Sequence, residues 1–216
     1  MTPVKAFDLI SYVGFAVVAV LIAMRWKNRK DYWWAFIGLA TCFIWEWVAD
    51  WSYWYLLYNR EFTMMFDRLP MMMPFAFTWY FTLMLILCLE NRHRLDAMHL
   101  WKQVLLLFVI FYVWDFFVEG TSTYLGVYRY HVDPGLKLFG ILPWYTPVNV
   151  SYYSVALYYV HKFMLGKAEE KNWSWGKGCG IFLLGYHVYF AFNQILLYSI
   201  VRIIFDLQPA ATYFTE

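Results

Sequence analysis

Six apolar runs, each about the length of a membrane-crossing helix, occupy most of this 216-residue chain. They cover approximately 7–24, 32–58, 70–89, 101–119, 144–163 and 179–205. A spanning helix needs roughly 20 consecutive, mostly apolar residues, so six of them leave no length for a separate soluble domain. The second and sixth runs are long enough to tilt or to continue beyond the bilayer. Composition agrees: 62% of residues are apolar, 24% are aromatic and only 15% are charged. A water-soluble surface needs about 25% charged residues. The expected fold is therefore all-α, a polytopic membrane protein in one transmembrane domain covering residues 1–216. Ordinary cytosolic enzymes, disordered chains and secreted disulfide scaffolds are excluded.

The net charge of +2 is too small for a nucleic-acid partner. Cys42, Cys88 and Cys179 lie in or beside apolar runs and form no CxxC pair, which suits buried thiols better than a disulfide or zinc framework. The first run is preceded only by Lys5, is followed by Arg25-Trp26-Lys27 and has no small-residue cleavage site, so it reads as a retained helix. The segment 120–143 is too polar to span, and its Asp133-Pro134-Gly135 reads as a turn. Eleven of the seventeen basic residues fall in the loops after the first, third and fifth runs. Cytoplasmic loops carry such an excess, which places both termini on the non-cytoplasmic side; Lys5 and Arg202 run against that bias.

An internal repeat organises the middle of the chain. Phe43-Ile44-Trp45-Glu46-Trp47-Val48-Ala49-Asp50 matches Tyr112-Val113-Trp114-Asp115-Phe116-Phe117-Val118-Glu119, both reading Trp-acid-x-x-x-acid. Leu69-Pro70-Met71-Met72-Met73-Pro74 then matches Leu142-Pro143-Trp144-Tyr145-Thr146-Pro147. Each is followed at the same distance by a hydroxyl and two aromatics, Thr78-Trp79-Tyr80 and Ser151-Tyr152-Tyr153. Two-helix units preserve orientation, so these are expected to be parallel repeats, about 34–90 and 101–165, with a site at their interface.

The repeat also marks the residues that could carry chemistry. Glu46 and Asp50 are four apart and share a helix face, as do Asp115 and Glu119. If the repeats face each other, four carboxyls converge. A carboxylate at the centre of a membrane helix costs about 2.5–3.5 kcal/mol on insertion scales. Arg202 is the only basic residue well inside a run, so ion pairing does not account for the four acids. Burial and neighbouring like charge favour protonated carboxyls, and neutral carboxylic acids in a dry site are the requirement of general acid catalysis. Architecture alone is the competing reading: Asp50 and Glu119 as interfacial caps, Glu46 and Asp115 as interhelical hydrogen-bond partners.

Trp47, Trp51, Trp54, Trp79, Tyr80, Trp114, Tyr152 and Tyr153 cluster beside these acids or follow the proline motif. Aromatic faces attract cations at about 0.5–2 kcal/mol each, so this set is a candidate substrate-binding wall for a cationic intermediate. Interfacial belts and core packing account for any single one equally well. In the last run, Asn193 is a candidate for orienting a carboxyl or substrate oxygen, and Gln194 shares that role; interhelical glue is the plainer reading of both. His93, His99, His131, His161 and His187 form no HxxH or HxxxH pair. There is no DDxxD run, no P-loop and no lysine deep in a late run to hold retinal. No metal is expected.

Trp45-Glu46, Gly126-Val127-Tyr128-Arg129-Tyr130 and the stretch Leu142-Pro143 to Pro147 resemble small integral-membrane isoprenoid cyclases and hydratases. That group includes the membrane terpene cyclases of meroterpenoid pathways, lycopene cyclases of the heterodimeric type and carotenoid hydratases. The resemblance covers roughly residues 40–160; the chain has six runs, whereas the meroterpenoid cyclases have seven helices. It implies a lipophilic isoprenoid substrate, no cofactor, Glu46 as the acid that protonates an epoxide or alkene, and Asp115 as its proton-accepting or orienting partner. Sterol double-bond isomerisation uses the same chemistry. Two other classes fit the same residues. One is a proton-coupled transporter, which in so short a chain calls for a homo-oligomer. The other is a subunit that binds membrane lipid or pigment.

Overall fold

A computed structural model describes residues 1–53, 56–65, 69–130 and 137–204, with the side chains of 49–53, 197–198 and 201–202 excepted. Among the described residues, eight helices carry the fold: α1 (Pro3–Arg25), α2 (Lys30–Leu39), α3 (Phe43–Tyr53), α4 (Met73–Glu90), α5 (Arg92–Asp96), α6 (Leu100–Tyr124), α7 (Tyr145–Glu170) and α8 (Trp175–Ile204). The turn read at Asp133-Pro134-Gly135 and the side chain of Arg202 lie outside the described residues.

Among the described residues, four helices are long and apolar enough to cross a membrane: α1, α4, α6 and the Trp175–Leu196 part of α8. Their surroundings differ. In α1 only Val4, Ser11, Val18 and Ile22 are buried, a stripe of near-heptad spacing. That stripe packs on α4, with Gly14 under the Trp79 indole, where a Cβ would approach the ring to 2.9 Å. The rest of α1 presents apolar side chains outward, including Leu9, Val13, Val17 and Val20. A soluble protein rarely exposes so continuous an apolar surface. In α6 the buried positions Gln103, Leu107, Phe111 and Asp115 recur every fourth residue. The inner stripe of this helix therefore delivers the acid to the interior. Helix α4 begins with Pro74 in its first turn, where a missing N–H costs nothing, and runs through the middle of the bundle against α1, α2 and α7.

Helix α7 has 26 residues but does not meet the same apolar criterion. Its buried face carries Thr146, Ser151, Ser154 and His161. A helix enclosed by protein, here α6 and α8, can bury polar groups that bond to its neighbours instead of presenting hydrocarbon to lipid.

The apolar run 32–58, expected as one long span, is instead divided. Helix α2 ends at Leu39, α3 starts at Phe43, and strand β1 (Leu56–Tyr58) follows. The Gly38 carbonyl accepts from Thr41 Oγ1 (3.1 Å) and from Cys42 Sγ (3.2 Å). The backbone tightens there to Cys42 N to Leu39 O and Trp45 N to Cys42 O, each 3.0 Å. Side-chain bonding to the preceding turn bends helices in this way. The bend re-aims α3, and with it Glu46.

Short antiparallel ladders close the end of the bundle that carries the chain's N-terminus. Strand β1 pairs with β4 (Tyr128–Tyr130), joining Leu56 to Tyr130 and Tyr58 to Tyr128. Strand β2 (Met64–Met65) pairs with β3 (Leu69–Pro70), and β5 (Lys137–Leu138) with β6 (Leu142–Pro143). Gly126, at φ +69°, makes the turn from α6 into β4. Val4, Leu56, Tyr58, Phe62, Met72, Val127 and Tyr128 form a small apolar core under these ladders, separate from the main core between the helices. Thr2 ties the first helix to it, accepting from Lys5 N at 3.4 Å and donating to Glu61 Oε2 at 2.5 Å.

The opposite end holds the basic loops, and there the acids are paired with cations. Arg29 bonds Asp31 at 2.8 Å and Glu90 at 3.4 Å. Asp96 takes Lys162 and, at 3.4 Å, Arg92. Partial burial works against the charge on Asp96, but the hydrogen bonds from Lys162 and Arg92 outweigh it and hold this carboxyl below its ordinary range.

Candidate functional site

A cavity of about 390 Å³ lies where the main core meets the small apolar core. It falls in the size range of small-molecule sites. Glu46 from α3 and Asp115 and Glu119 from α6 all line it. These three carboxyls meet although their helices are far apart in sequence. The fourth acid expected with them, Asp50, has its side chain outside the described residues, as do Trp51 and all of Trp54.

Each acid is held by uncharged partners. Tyr80 donates to Asp115 Oδ1 at 2.8 Å. Tyr128 and Tyr130 both donate to Glu119 Oε2 at 2.5 Å. Gln194 Nε2 donates to Glu46 Oε2 at 2.8 Å and to Tyr153 Oη at 2.9 Å. Helix α6 places Asp115 and Glu119 one turn apart on its inner face, and α4 presents Tyr80 to the first of them. The β1–β4 ladder brings Tyr128 and Tyr130 over the second. Their spacing of two puts both side chains on one face of the strand.

One oxygen stands apart. Asp115 is only 1% exposed, and its Oδ2 has no hydrogen-bond partner among the described residues. Thr146 Oγ1 and Trp79 Nε1, which line the same cavity, are also buried without a partner. Leaving a buried polar group unpaired costs roughly 1–3 kcal/mol. A ligand atom that bonds any of the three would recover that cost.

The floor is aromatic. Phe77 and Phe81 stand 4.6 Å apart between centroids, Phe81 and Tyr153 5.7 Å, and Tyr153 and Phe190 5.0 Å. Of the aromatic residues read from the sequence, Trp79, Tyr80 and Tyr153 line the cavity. Trp114 packs behind, edge-on to Tyr80 at 6.2 Å. Trp47 is half-buried on α3 and is not part of the wall. Tyr152 is 49% exposed on the outer side of α7. Asn193 is buried but donates to the Tyr189 carbonyl of its own helix at 2.8 Å, and its neighbour Gln194 reaches the acids.

The polar lining residues that sequence reasoning did not assign to the site are Ser11, Thr121, Ser122, Thr146 and Asn149, and the aromatic Phe7, Phe77, Phe81 and Phe117 were not assigned either. Thr146 stands inside the second Leu-Pro-x-x-x-Pro motif, which was the available signal for it. Tyr128 and Tyr130 were marked only through the resemblance, by the Gly-x-Tyr-x-Tyr loop. Among the described residues, no group of three or more His, Cys, Asp or Glu side chains is arranged to hold a metal ion. A scan against protein-family models gives no match, and searches of the curated proteins and of the solved structures return no significant match.

Proposed function

We propose that this chain is an intramembrane acid catalyst that cyclises, hydrates or isomerises a lipophilic isoprenoid. The observation that carries this reading is the unpartnered Asp115 Oδ2, buried in an aromatic cavity beside Glu46 and Glu119. Tyr80 holds the other oxygen of Asp115, so a single oxygen of this carboxyl is left facing the cavity. In the proposed step the Asp115 carboxyl carries the proton. The π electrons of a substrate alkene take it to form a C–H bond, or an epoxide oxygen takes it and the C–O bond opens. Positive charge then develops on carbon. The faces of Phe77, Phe81 and Tyr153 stabilise it at about 0.5–2 kcal/mol each. Loss of a proton from an adjacent carbon to a Glu46 or Glu119 carboxylate, or addition of water with its surplus proton passing to the Asp115 carboxylate, ends the reaction. Relative to the expectation from resemblance, this exchanges the roles of Glu46 and Asp115, because Asp115 is the one of the three acids with an oxygen buried without a partner among the described residues.

The proposed frame is six crossings built on two parallel repeats, with both termini on the non-cytoplasmic side. Its support is the recurrence of local structure. Each Leu-Pro pair forms a strand paired with one just upstream. In each following helix a hydroxyl bonds the proline carbonyl four residues back, Thr78 to Pro74 at 2.5 Å and Ser151 to Pro147. The equivalent strands β1 and β4 pair antiparallel, as a two-fold axis between the repeats requires.

The test is Asp115→Asn and Glu46→Gln, with membranes assayed on prenylated epoxides and linear carotenoids. General acid–base groups contribute about 10²- to 10⁴-fold, and a loss of that size is expected for Asp115→Asn. Unchanged turnover in both variants overturns the mechanism. Parallel repeats with intramembrane acids also favour proton-coupled transport. Glu46-dependent proton flux in proteoliposomes, without product formation, would establish that alternative.

A further inference from the structure

The cavity has a second feature that proton transfer leaves unexplained: the exposed members of its described lining come from two helices. Among its described lining residues, just Ile10, Phe117 and Thr121 are exposed, Ile10 to 57% and Phe117 to 65%. Ile10 belongs to α1 and the other two to α6. The opening therefore lies in the gap between those two helices. Ile10 is seven residues after the start of α1, and Phe117 is seven before the end of α6. At a rise of 1.5 Å per residue, both sit about 10 Å inside their helices. With the helix ends at the faces of a hydrocarbon core about 30 Å thick, the opening would lie among acyl chains and not among headgroups. The flanking exposed residues agree: Leu9, Val13 and Val17 on α1, and Val109, Ile110 and Val113 on α6.

The interior differs in kind from the mouth. Asp115 Oδ2 and Thr146 Oγ1 are buried there without a partner among the described residues. A mouth that exposes Ile10, Phe117 and Thr121 and an interior with two unpartnered oxygens define one type of occupant. We propose that the cavity takes a single-tailed amphiphile laterally from the bilayer leaflet nearest the N-terminus. Its terminal oxygen seats between Asp115 and Thr146, and its tail lies out through the gap between Ile10 and Phe117. The prenyl nature of the tail rests on the proposed function; the route and the oxygen-first orientation rest on the opening and the two polar atoms.

The experiment uses the full chain in phosphatidylcholine nanodiscs, photolabelled with diazirine-bearing farnesol and competed by farnesol or by farnesene, which has the same carbons and no hydroxyl. Farnesol is expected to compete at least tenfold better than farnesene, and Thr146→Val to shrink that preference severalfold. Equal competition by the two overturns the oxygen seat. For the route, Ile10→Cys and Phe117→Cys are joined by a reducible thiol crosslinker in a Cys179→Ser background. Labelling is expected to slow at least tenfold and to recover on reduction, which separates blocking from misfolding. A second variant, Phe117→Ala, is expected to label faster. An unchanged rate in both overturns lateral access. Farnesol-selective labelling without turnover of any isoprenoid sinks the catalytic reading and leaves this one standing. Full turnover in the crosslinked protein sinks the route alone.

Discussion

The two ends of this bundle use the same acidic residues in opposite ways. At the end with the basic loops, Asp31, Glu90 and Asp96 bond to Arg29, Arg92 and Lys162. At the cavity end, the partners described for Glu46, Asp115 and Glu119 are tyrosines and a glutamine. Cation pairing at a wet surface neutralises a carboxylate and is worth little, typically 0–1 kcal/mol. Neutral donors in a dry cavity orient a carboxyl without cancelling its capacity to exchange a proton. The first arrangement staples loops, and under the proposed function the second holds reagents.

The comparison is most exposed to Asp115→Asn. Turnover is expected to fall about 10²- to 10⁴-fold while the protein still reconstitutes, whereas Asp96→Asn leaves turnover unchanged. Equal effects at the two sites would dissolve the distinction. Gln194→Leu comes next. It strips Glu46 Oε2 and the Tyr153 hydroxyl of one shared donor. Unsatisfied buried groups cost roughly 1–3 kcal/mol, to be read as a loss in SDS-driven unfolding free energy. A cost near zero would mean that water replaces the amide and that the cavity is wet.

A finer test is a double-mutant cycle on Tyr128→Phe and Tyr130→Phe. Both hydroxyls serve the same Glu119 oxygen. Either single change leaves one donor and is expected to cost about 0.5–1.5 kcal/mol. The double change removes both and is expected to exceed the sum, because residues in one network couple. Strict additivity would make the two tyrosines independent of the acid. The smallest effect belongs to Asp96→Asn, within about 1 kcal/mol for so exposed a pair. Its sign with pH is fixed by the lowered carboxyl. The stabilisation is present above the ordinary Asp range and is lost as pH falls through the lower folded-state value. The Asn variant should therefore lose that acid-side slope in unfolding experiments.

The cavity lining was legible in the sequence where a residue's type was itself costly: three acids inside apolar runs were conspicuous, and all three line one cavity. It was less legible where the choice lay between neighbours on a helix. Successive residues point about 100° apart, so of Tyr152 and Tyr153 only the second faces the cavity, and of Asn193 and Gln194 only the second reaches Glu46. Aromatic abundance hid the phase, because nearly every face of these helices carries a ring. Thr146 was obscured for a different reason: a threonine near a helix start is ordinary until its hydroxyl is seen to be buried without a partner.

The sequence by itself determined the solvent. Apolar runs of this length commit the chain to helices with outward hydrocarbon faces, since every backbone polar group must be satisfied within its own segment. It also determined that several carboxyls lie away from cations. Tertiary structure alone decided the rest. The Thr41 and Cys42 side chains divide one expected span into two helices, the pairing of β1 with β4 brings Tyr128 and Tyr130 over Glu119, and α1 and α6 supply the exposed lining residues Ile10, Phe117 and Thr121. The first is a local side-chain bond that hydrophobic periodicity does not register; the other two depend on contacts between segments distant in the chain, which periodicity does not encode.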